Sequence, residues 1–208
     1  GLSLLWQSEP GIALRRGDGA VLAFCILAAL PPLPALSSAA LTVVAAWGIF
    51  SGAPRSALRR SCAIFLSVTA FLLWGRICLA LGAGPLLRAD AAFVSLLSGM
   101  PSTGNAVTFA NGKQFLIAPG CSSLHGISLA LVLWATAVNY FEYRVTRQLW
   151  LTLGLAIIAS VLVNGARLSV IAFNPDSFGY WHHDEGAMLF GWAGLIAVVG
   201  VIYAGIAR

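Results

Sequence analysis

The chain has 208 residues, of which 59% are hydrophobic and only 9% are charged, and its formal net charge is +5. Because a water-soluble domain carries roughly 25% charged residues, this composition excludes an ordinary soluble protein and predicts an all-α, polytopic transmembrane helix bundle. The arginines stand between apolar runs, where the positive-inside rule accounts for them. We therefore expect the lipid bilayer, and no nucleic acid, among the partners of a single integral membrane domain over residues 1–208.

The apolar runs of the chain predict about six spans. The first two runs are short for a hydrocarbon core about 30 Å thick. Pro31, Pro32 and Pro34 separate them, so they form either a tight hairpin of two spans or one long broken helix. The predicted spans cover residues 20–33, 35–50, 62–81, 122–140, 149–170 and 186–207.

The segment between the third and fourth spans differs from the rest of the chain. Gly82–Pro85 predicts a break after the third span. Leu86–Met100 is amphipathic, which is typical of a helix that lies along the membrane interface. Residues 101–120 contain β-prone stretches on either side of Asn111-Gly112, a pair that favours a type I′ turn. We therefore expect a small extracytoplasmic β-hairpin directly before the fourth span.

The arginines of the loops predict one orientation in the membrane. If Arg15 and Arg16 near the amino terminus are cytoplasmic, every later basic loop also falls on the cytoplasmic side. These loops carry Arg55, Arg59, Arg60, Arg144, Arg147 and Arg208. The opposite face then receives residues 82–121 and 167–186, which contain the polar motifs described next.

Cys121 is the first candidate for chemistry. The other cysteines, Cys25, Cys62 and Cys78, lie within apolar runs, where a cysteine is usually a small buried hydrophobic residue. Cys121 follows Gly120 and stands at the start of a predicted helix, with two serines after it as possible caps. A helix amino terminus lowers the pKa of a thiol, which suits a thiolate nucleophile. The alternative interpretation is a packed thiol.

Arg167 is the second candidate. An arginine in an apolar run costs at least about 2.5 kcal/mol on insertion scales and therefore indicates a functional residue; the alternative is snorkelling to the headgroups. Asn164 lies one turn earlier on the same helix face. A guanidinium directed into the bundle can hold a peptide carbonyl oxygen as it becomes an oxyanion. Arg76, near the outer end of the third span, either reaches the same site or snorkels.

Histidines supply the third part of the predicted site. His182 and His183 directly precede the last span, and a histidine acts as general base and general acid at neutral pH. The alternative interpretation is a solvated loop whose acidic residues favour the following helix. His125 is a rival proton partner, because it follows Cys121 by four residues and would share its helical face.

These motifs, in this order, resemble the exosortase/archaeosortase family. The family's pattern is a Cys-Ser-Gly-like helix start, then Asn-x-x-Arg, then a His before a Gly-containing last helix. This chain reads Cys121-Ser122-Ser123, Asn164-Gly165-Ala166-Arg167 and His182-x-x-x-Gly186. The resemblance covers roughly residues 107–208. The departures are Ser123 in place of a glycine, the doubled histidine and fewer spans than many members have.

The resemblance implies a membrane-embedded cysteine protease or transpeptidase, a hydrolase of peptide bonds that cleaves the carboxyl-terminal sorting signal, of PEP-CTERM type, of exported proteins. By that analogy Cys121 is the nucleophile that forms a thioester, Arg167 stabilises the oxyanion and His182 transfers protons. His182 is preferred over His183 because its spacing to Gly186 matches the family. The implied partners are membrane-anchored proteins that carry such a signal. The implied location is the bacterial cytoplasmic (inner) membrane, with the active site facing the periplasm and with neither cofactor nor metal.

Two other functions stay open at this point. A zinc-dependent intramembrane protease would draw its ligands from Cys121, His125, His182, His183, Asp184 and Glu185. The chain has no His-Glu-x-x-His motif. A non-enzymatic transporter or assembly subunit would be indicated by discontinuous spans in matching halves of the chain. The proline-rich hairpin near the start has no such counterpart later.

Overall fold

The computed structural model of the chain describes residue 15, residues 17–109 and residues 111–207. Arg16 and Arg208, which belong to the predicted charge pattern, lie outside the described residues. The α-helices of the described part are α1 (Asp18–Ala29), α2 (Pro34–Ser51), α3 (Ala57–Thr69), α4 (Gly75–Ser98), α5 (Leu124–Tyr140), α6 (Arg147–Phe173), α7 (Phe178–His182) and α8 (Glu185–Ile206).

The helices confirm the predicted all-α, multi-pass membrane fold. Four helical stretches of the described part are long and apolar enough to cross a bilayer, namely α2, the continuous stretch of residues 57–98, α6 and α8. The helices α1 and α5 are apolar but shorter. Each predicted span overlaps one of these helices, with altered bounds.

The chain forms two compact units, residues 1–76 with 131–145 and residues 77–130 with 146–208. In the first unit, Trp47 of α2 donates a hydrogen bond of 2.7 Å from Nε1 to Asp18 of α1. Arg60 of α3 forms an ion pair of 2.6 Å with Glu142. These polar contacts join elements whose other surfaces are apolar. The prediction of a single integral membrane domain over residues 1–208 stays a prediction.

The predicted end of the third span at residue 81 is wrong, because the helix continues to Ser98. A π-helical segment, Ala70–Trp74, joins α3 to α4. Gly82 lies inside α4 with φ −149° and ψ 32°, so the predicted break is a kink, and Pro85 follows it. After the kink the helix resumes, since Leu87 and Val94 bury one face of it in the core. The amphipathic pattern of this segment therefore reflects packing against protein.

A small antiparallel sheet follows α4, with strands β1 (Ser102–Thr103), β2 (Ala106–Thr108) and β3 (Gln114–Leu116) in the order β1-β2-β3. The hairpin of β2 and β3 was predicted; the short strand β1 was not. Val107 faces Phe115 across the hairpin, and both are buried.

The turn of the hairpin is longer than the predicted two-residue type I′ turn. Thr108 pairs with Gln114. Phe109 N donates to Lys113 O at 2.6 Å, and Gly112 N donates to Phe109 O at 2.9 Å. Gly112 has a φ of 82°. These features are typical of a three-residue loop that ends on a glycine in the left-handed region.

The core of the second unit lies where the sheet meets α4 and α6. Its buried members are Leu87, Ala91, Val94, Val107, Phe115, Ile117, Cys121, Leu168, Ile171 and Ala172. On α6, an added Cβ at Gly165 would lie 2.5 Å from the ring of Phe93, so this glycine permits the close approach of α4 and α6. Cys121 thus sits in a packed core at the edge of the sheet.

Two local predictions around the motifs are wrong. Cys121 was expected at the start of the helix that forms the fourth span (residues 122–140), but it ends a 3-10 turn (Pro119–Cys121), and α5 starts only at Leu124. The proline at the start of this turn and the extended backbone of Ser122 interrupt the helix. Residues 173–185 were expected to be a polar loop, but they contain a second 3-10 turn (Pro175–Ser177) and the short helix α7.

Candidate active site

Cys121 and His182 lie in direct contact. The Sγ atom of Cys121 is 2.9 Å from Nε2 of His182, although 61 residues separate them in the chain. Cys121 is 4% exposed, so the thiol is enclosed by protein. This separation is within reach of a direct proton transfer.

Aromatic rings hold the imidazole of His182 in place. Phe178, one turn earlier in α7, stacks on it with centroids 4.7 Å apart and planes inclined by 16°. Phe115 of β3 meets its face edge-on at 6.5 Å. His183 Nε2 lies 2.8 Å from Nδ1 of His182. The imidazole therefore has a partner at each of its nitrogens, Cys121 at one and His183 at the other.

Gly186 explains how α7 can sit against the start of α8. An added Cβ at this buried glycine would lie 2.6 Å from the ring of Trp181 and 2.9 Å from the ring of Tyr180. Only a residue without a side chain leaves room for these two rings of α7. The His-x-x-x-Gly spacing thus has a local packing reason in this chain.

The backbone of Cys121 is tied to α6 by Asn164. The Nδ2 atom of Asn164 donates a hydrogen bond of 3.0 Å to the carbonyl oxygen of Cys121. Arg167 follows Asn164 by one helical turn and exerts an electrostatic effect on both Cys121 and His182. The Asn-x-x-Arg motif therefore contributes one anchor of the thiol and one cation beside it.

Asp90 is a site residue that sequence reasoning missed. This carboxylate is 6% exposed and accepts hydrogen bonds from Ser123 N at 3.1 Å and from Ser123 Oγ at 2.6 Å. It thereby holds the chain two residues after the thiol. The available signal was its position on the apolar face of α4, three residues after Leu87 and four before Val94.

A cavity of about 140 Å³ lies within the second unit, and Gly120 and Ser122, the neighbours of Cys121 in the chain, contribute to its lining. Its polar lining comes from Ser122, His125, Asn164 and Arg167, and its apolar lining includes Val163 and Leu195. Among the residues that the structure describes, neither Ser122 Oγ nor Arg167 Nε has a hydrogen-bond partner, although both atoms are buried.

Burial keeps both members of the Cys121–His182 pair neutral. It raises the pKa of the Cys121 thiol, and the charge of Arg167 and a hydrogen bond with Ala118 oppose it only in part. Burial also lowers the pKa of His182, assisted by the charges of His183 and Arg167. The predicted lowering of the thiol pKa by a helix dipole is therefore wrong. The amino end of α5 lies after Cys121, and it is the Asp90 carboxylate that binds there.

The contact of Cys121 Sγ with His182 Nε2 involves neither His125 nor Arg76, the remaining candidates. His125 lines the cavity and is in α5, so the predicted i, i+4 relation to Cys121 does not apply. Arg76 is exposed at the start of α4. Within residues 15, 17–109 and 111–207, no group of three or more His, Cys, Asp or Glu side chains is arranged to hold a metal ion.

Comparison with known proteins identifies the family. A family model described as transmembrane exosortase matches residues 2–199, which extends the likeness across the amino-terminal helices as well. No curated protein and no solved structure matched the chain significantly. The match covers most of the chain. The chain therefore belongs to the transmembrane exosortase family.

Proposed function

We propose that the protein is a cysteine protease or transpeptidase that cleaves the carboxyl-terminal sorting signal, of PEP-CTERM type, of exported proteins. It acts at the periplasmic face of the bacterial inner membrane. The observation that carries this proposal is the 2.9 Å contact between Cys121 Sγ and His182 Nε2 in a buried site. A thiol beside a positioned imidazole is the arrangement of an activated nucleophile.

The first half-reaction forms a thioester. His182 Nε2 accepts the thiol proton while its Nδ1–H donates to His183 Nε2, which orients the ring. The sulfur attacks the scissile carbonyl carbon, and the electron pair of the C=O π bond moves to the oxygen. Arg167 stabilises that oxyanion. When the oxyanion collapses, the C–N bond breaks and His182 returns the proton to the departing amine.

The second half-reaction releases the product. Water, or an amine of an acceptor molecule, attacks the thioester carbonyl and loses a proton to His182. The C–S bond then breaks and the thiolate of Cys121 regains its proton from His182. Hydrolysis leaves a carboxylic acid, whereas transfer leaves an amide.

Substitution of Cys121 tests the function. We expect Cys121→Ala to abolish cleavage of a co-expressed tailed substrate while the protein stays in the membrane. Arg167→Lys should also lower the rate strongly, since lysine lacks the planar guanidinium. Mass analysis of the processed carboxyl terminus gives the cut site and any attached group. Cys78→Ala is the matched control, because Cys78 is exposed and outside this site, and it should leave cleavage unchanged.

Cleavage that persists in Cys121→Ala would sink the proposal. The proposal would also be contradicted if chelators stopped cleavage and zinc restored it, since the reaction would then depend on a metal. Loss of activity in Cys78→Ala to the extent seen for Cys121→Ala would also contradict the proposed role of the buried thiol.

A further inference from the structure

The backbone amides around the thiol already have partners. Cys121 N donates to Ala118 O at 2.9 Å, and Ser122 N donates to Pro119 O at 3.3 Å. Ser123 N donates to the Asp90 carboxylate at 3.1 Å. Many enzymes that attack carbonyl groups bind the oxyanion with such backbone amides. In this site the amides of Cys121, Ser122 and Ser123 are occupied, so these three groups are not free to bind an oxyanion.

Two buried donors beside the thiol remain available. Ser122 is 3% exposed, and its Oγ has no hydrogen-bond partner among the described residues; the same is true of Arg167 Nε. A buried polar atom without a partner costs about 1–3 kcal/mol. Both residues line the cavity of about 140 Å³, and Ser122 directly follows Cys121 in the chain. Because these two buried atoms lack hydrogen-bond partners and their residues line the cavity, we expect the cavity to bind a polar group of a ligand.

The cavity changes from polar to apolar along the helices. At the end formed by the start of α5 and by the Asn-x-x-Arg motif it is lined by Ser122, His125, Asn164 and Arg167. Farther along α5, α6 and α8 it is lined by Leu129, Val163 and Val198. Ser160 also lies at this far end, but its hydroxyl donates to Ile157 O at 2.9 Å. An uncharged group therefore fits the interior, while a polar atom fits the polar end.

The size of the cavity limits the occupant. Its volume is about 140 Å³, close to that of a cavity of about 150 Å³ that accommodates benzene. A side chain up to the size of leucine can enter such a space. The glycines Gly191 and Gly194 of α8 contribute to its wall.

We propose that Ser122 Oγ is a second donor to the oxyanion together with Arg167, and that the cavity binds the uncharged side chain of the substrate residue that carries the scissile carbonyl. This inference rests on the proposed function and names the binding groups of the same site. As Cys121 attacks, the electron pair that moves to the oxygen is stabilised by the Ser122 hydroxyl and by the guanidinium. Neither group gains or loses a proton.

The donor role of Ser122 is tested with two reactions of Cys121. Ser122→Ala should lower kcat for peptide cleavage by about 100-fold, the usual effect of losing one oxyanion donor. Ser122→Thr keeps the hydroxyl and should retain much of the rate. Alkylation of Cys121 by iodoacetamide forms no oxyanion, so its rate, followed by peptide mass analysis, should be unchanged in Ser122→Ala.

Three outcomes separate the possibilities. Full cleavage by Ser122→Ala would overturn the donor role. Equal losses of cleavage and of alkylation would also overturn it, because Ser122 would then only position the thiol. If instead Cys121→Ala still cleaves, the proposed function itself has failed, whatever Ser122→Ala does.

The side-chain pocket is tested with substrates that differ at the residue before the cut. We expect Ala or Leu at this position to be cleaved and Asp or Lys to be rejected. Gly194 lines the cavity, so Gly194→Val should reduce its volume and lower kcat/KM for the Leu substrate more than for the Ala substrate. The fold should tolerate the change, because an added Cβ lies 3.7 Å from Val163 without a clash. Gly200→Val, also on α8 but outside the cavity, is the matched control, because an added Cβ there meets nothing within 4 Å.

Preference for Asp over Leu would overturn the pocket, because the cavity would then bind a carboxylate through Arg167. An unchanged Leu-to-Ala ratio in Gly194→Val, or the same shift in Gly200→Val, would overturn it as well. The wild-type protein and Cys121→Ala are measured alongside, so that inactive substrate preparations are recognised.

Discussion

Cys121 and His182 form a neutral thiol–imidazole pair, because burial moves their pKa values in opposite directions. Burial raises the pKa of the thiol and lowers the pKa of the imidazole. Proton transfer therefore belongs to the reaction with substrate and not to the resting protein. The nearby cation of Arg167 favours the thiolate once it forms.

The pH dependence of cleavage follows from these directions. His182 must be neutral to accept the proton, so kcat/KM rises with pH through a pKa below the ordinary value of about 6.5 and is already maximal at neutral pH. Because burial raises the thiol pKa above its ordinary value, kcat/KM falls only at alkaline pH, where Cys121 loses the proton that His182 must deliver to the amine. A pH–rate profile with a tailed peptide measures both limbs.

Replacement of His183 provides the control for this profile. His183→Leu removes one of the charges that lower the pKa of His182, so the acid limb should move to higher pH. His183→Gln retains a hydrogen-bond acceptor for Nδ1 of His182 and should keep a higher rate than His183→Leu. If Cys121 is alkylated rapidly at pH 7 and the alkylation rate does not change with pH, the resting protein contains a thiolate. That result would contradict the neutral pair.

At the scale of elements, short segments place the reacting atoms. The turn Pro119–Cys121 and the helix α7 each contribute one member of the pair, and the hairpin of β2 and β3 supports them through Phe115. Asp90, on α4, joins the start of α5 to this arrangement through Ser123.

Substitution of Asp90 should cost both stability and rate. Asp90→Asn replaces one acceptor oxygen by a donor group that faces the Ser123 N–H or hydroxyl. We expect a loss of about 1.5–3 kcal/mol in the free energy of unfolding, since hydrogen bonds to charged groups contribute this much. Cleavage should weaken because Ser123, two residues after Cys121, loses its anchor.

Unfolding in detergent, followed by circular dichroism, measures the effect of Asp90→Asn. Asp176→Asn is the matched control; Asp176 is exposed on the second 3-10 turn, and its change should stay within about 0.5 kcal/mol. If the two variants unfold alike, the Asp90 contact does not stabilise the site.

At the scale of the whole molecule, lipid must cover much of the surface. Large apolar side chains on α6 and α8 are exposed, among them Trp150, Leu155, Ile158, Trp192 and Ile196. Contiguous apolar surface of this kind is not stable in water, but it is the normal exterior of a membrane helix.

The orientation in the membrane is tested by labelling from outside. A membrane-impermeant maleimide added to spheroplasts should modify Lys113→Cys in the exposed hairpin turn. It should not modify Arg144→Cys in the exposed loop after α5, which the positive-inside rule puts in the cytoplasm. The reverse pattern would contradict the predicted orientation of the site.

Sequence alone determined the class of the protein and the order of its motifs. Apolar runs identify membrane helices, because within the bilayer every backbone N–H and C=O group needs a hydrogen-bond partner in the protein, which a long helix supplies. The hairpin around Asn111-Gly112 was also predictable, because turn preferences depend on neighbouring residues. Cys121, Asn164, Arg167 and His182 were all selected from local patterns in the chain.

Only the tertiary structure decided how these residues meet. It brought His182 to Cys121, because α7 forms where a loop was predicted. It also brought Asp90 to Ser123. Burial, which depends on contacts between residues distant in sequence, raised the thiol pKa that a local helix dipole was expected to lower. Local patterns carry the identity of the groups, whereas packing sets their distances and their protonation.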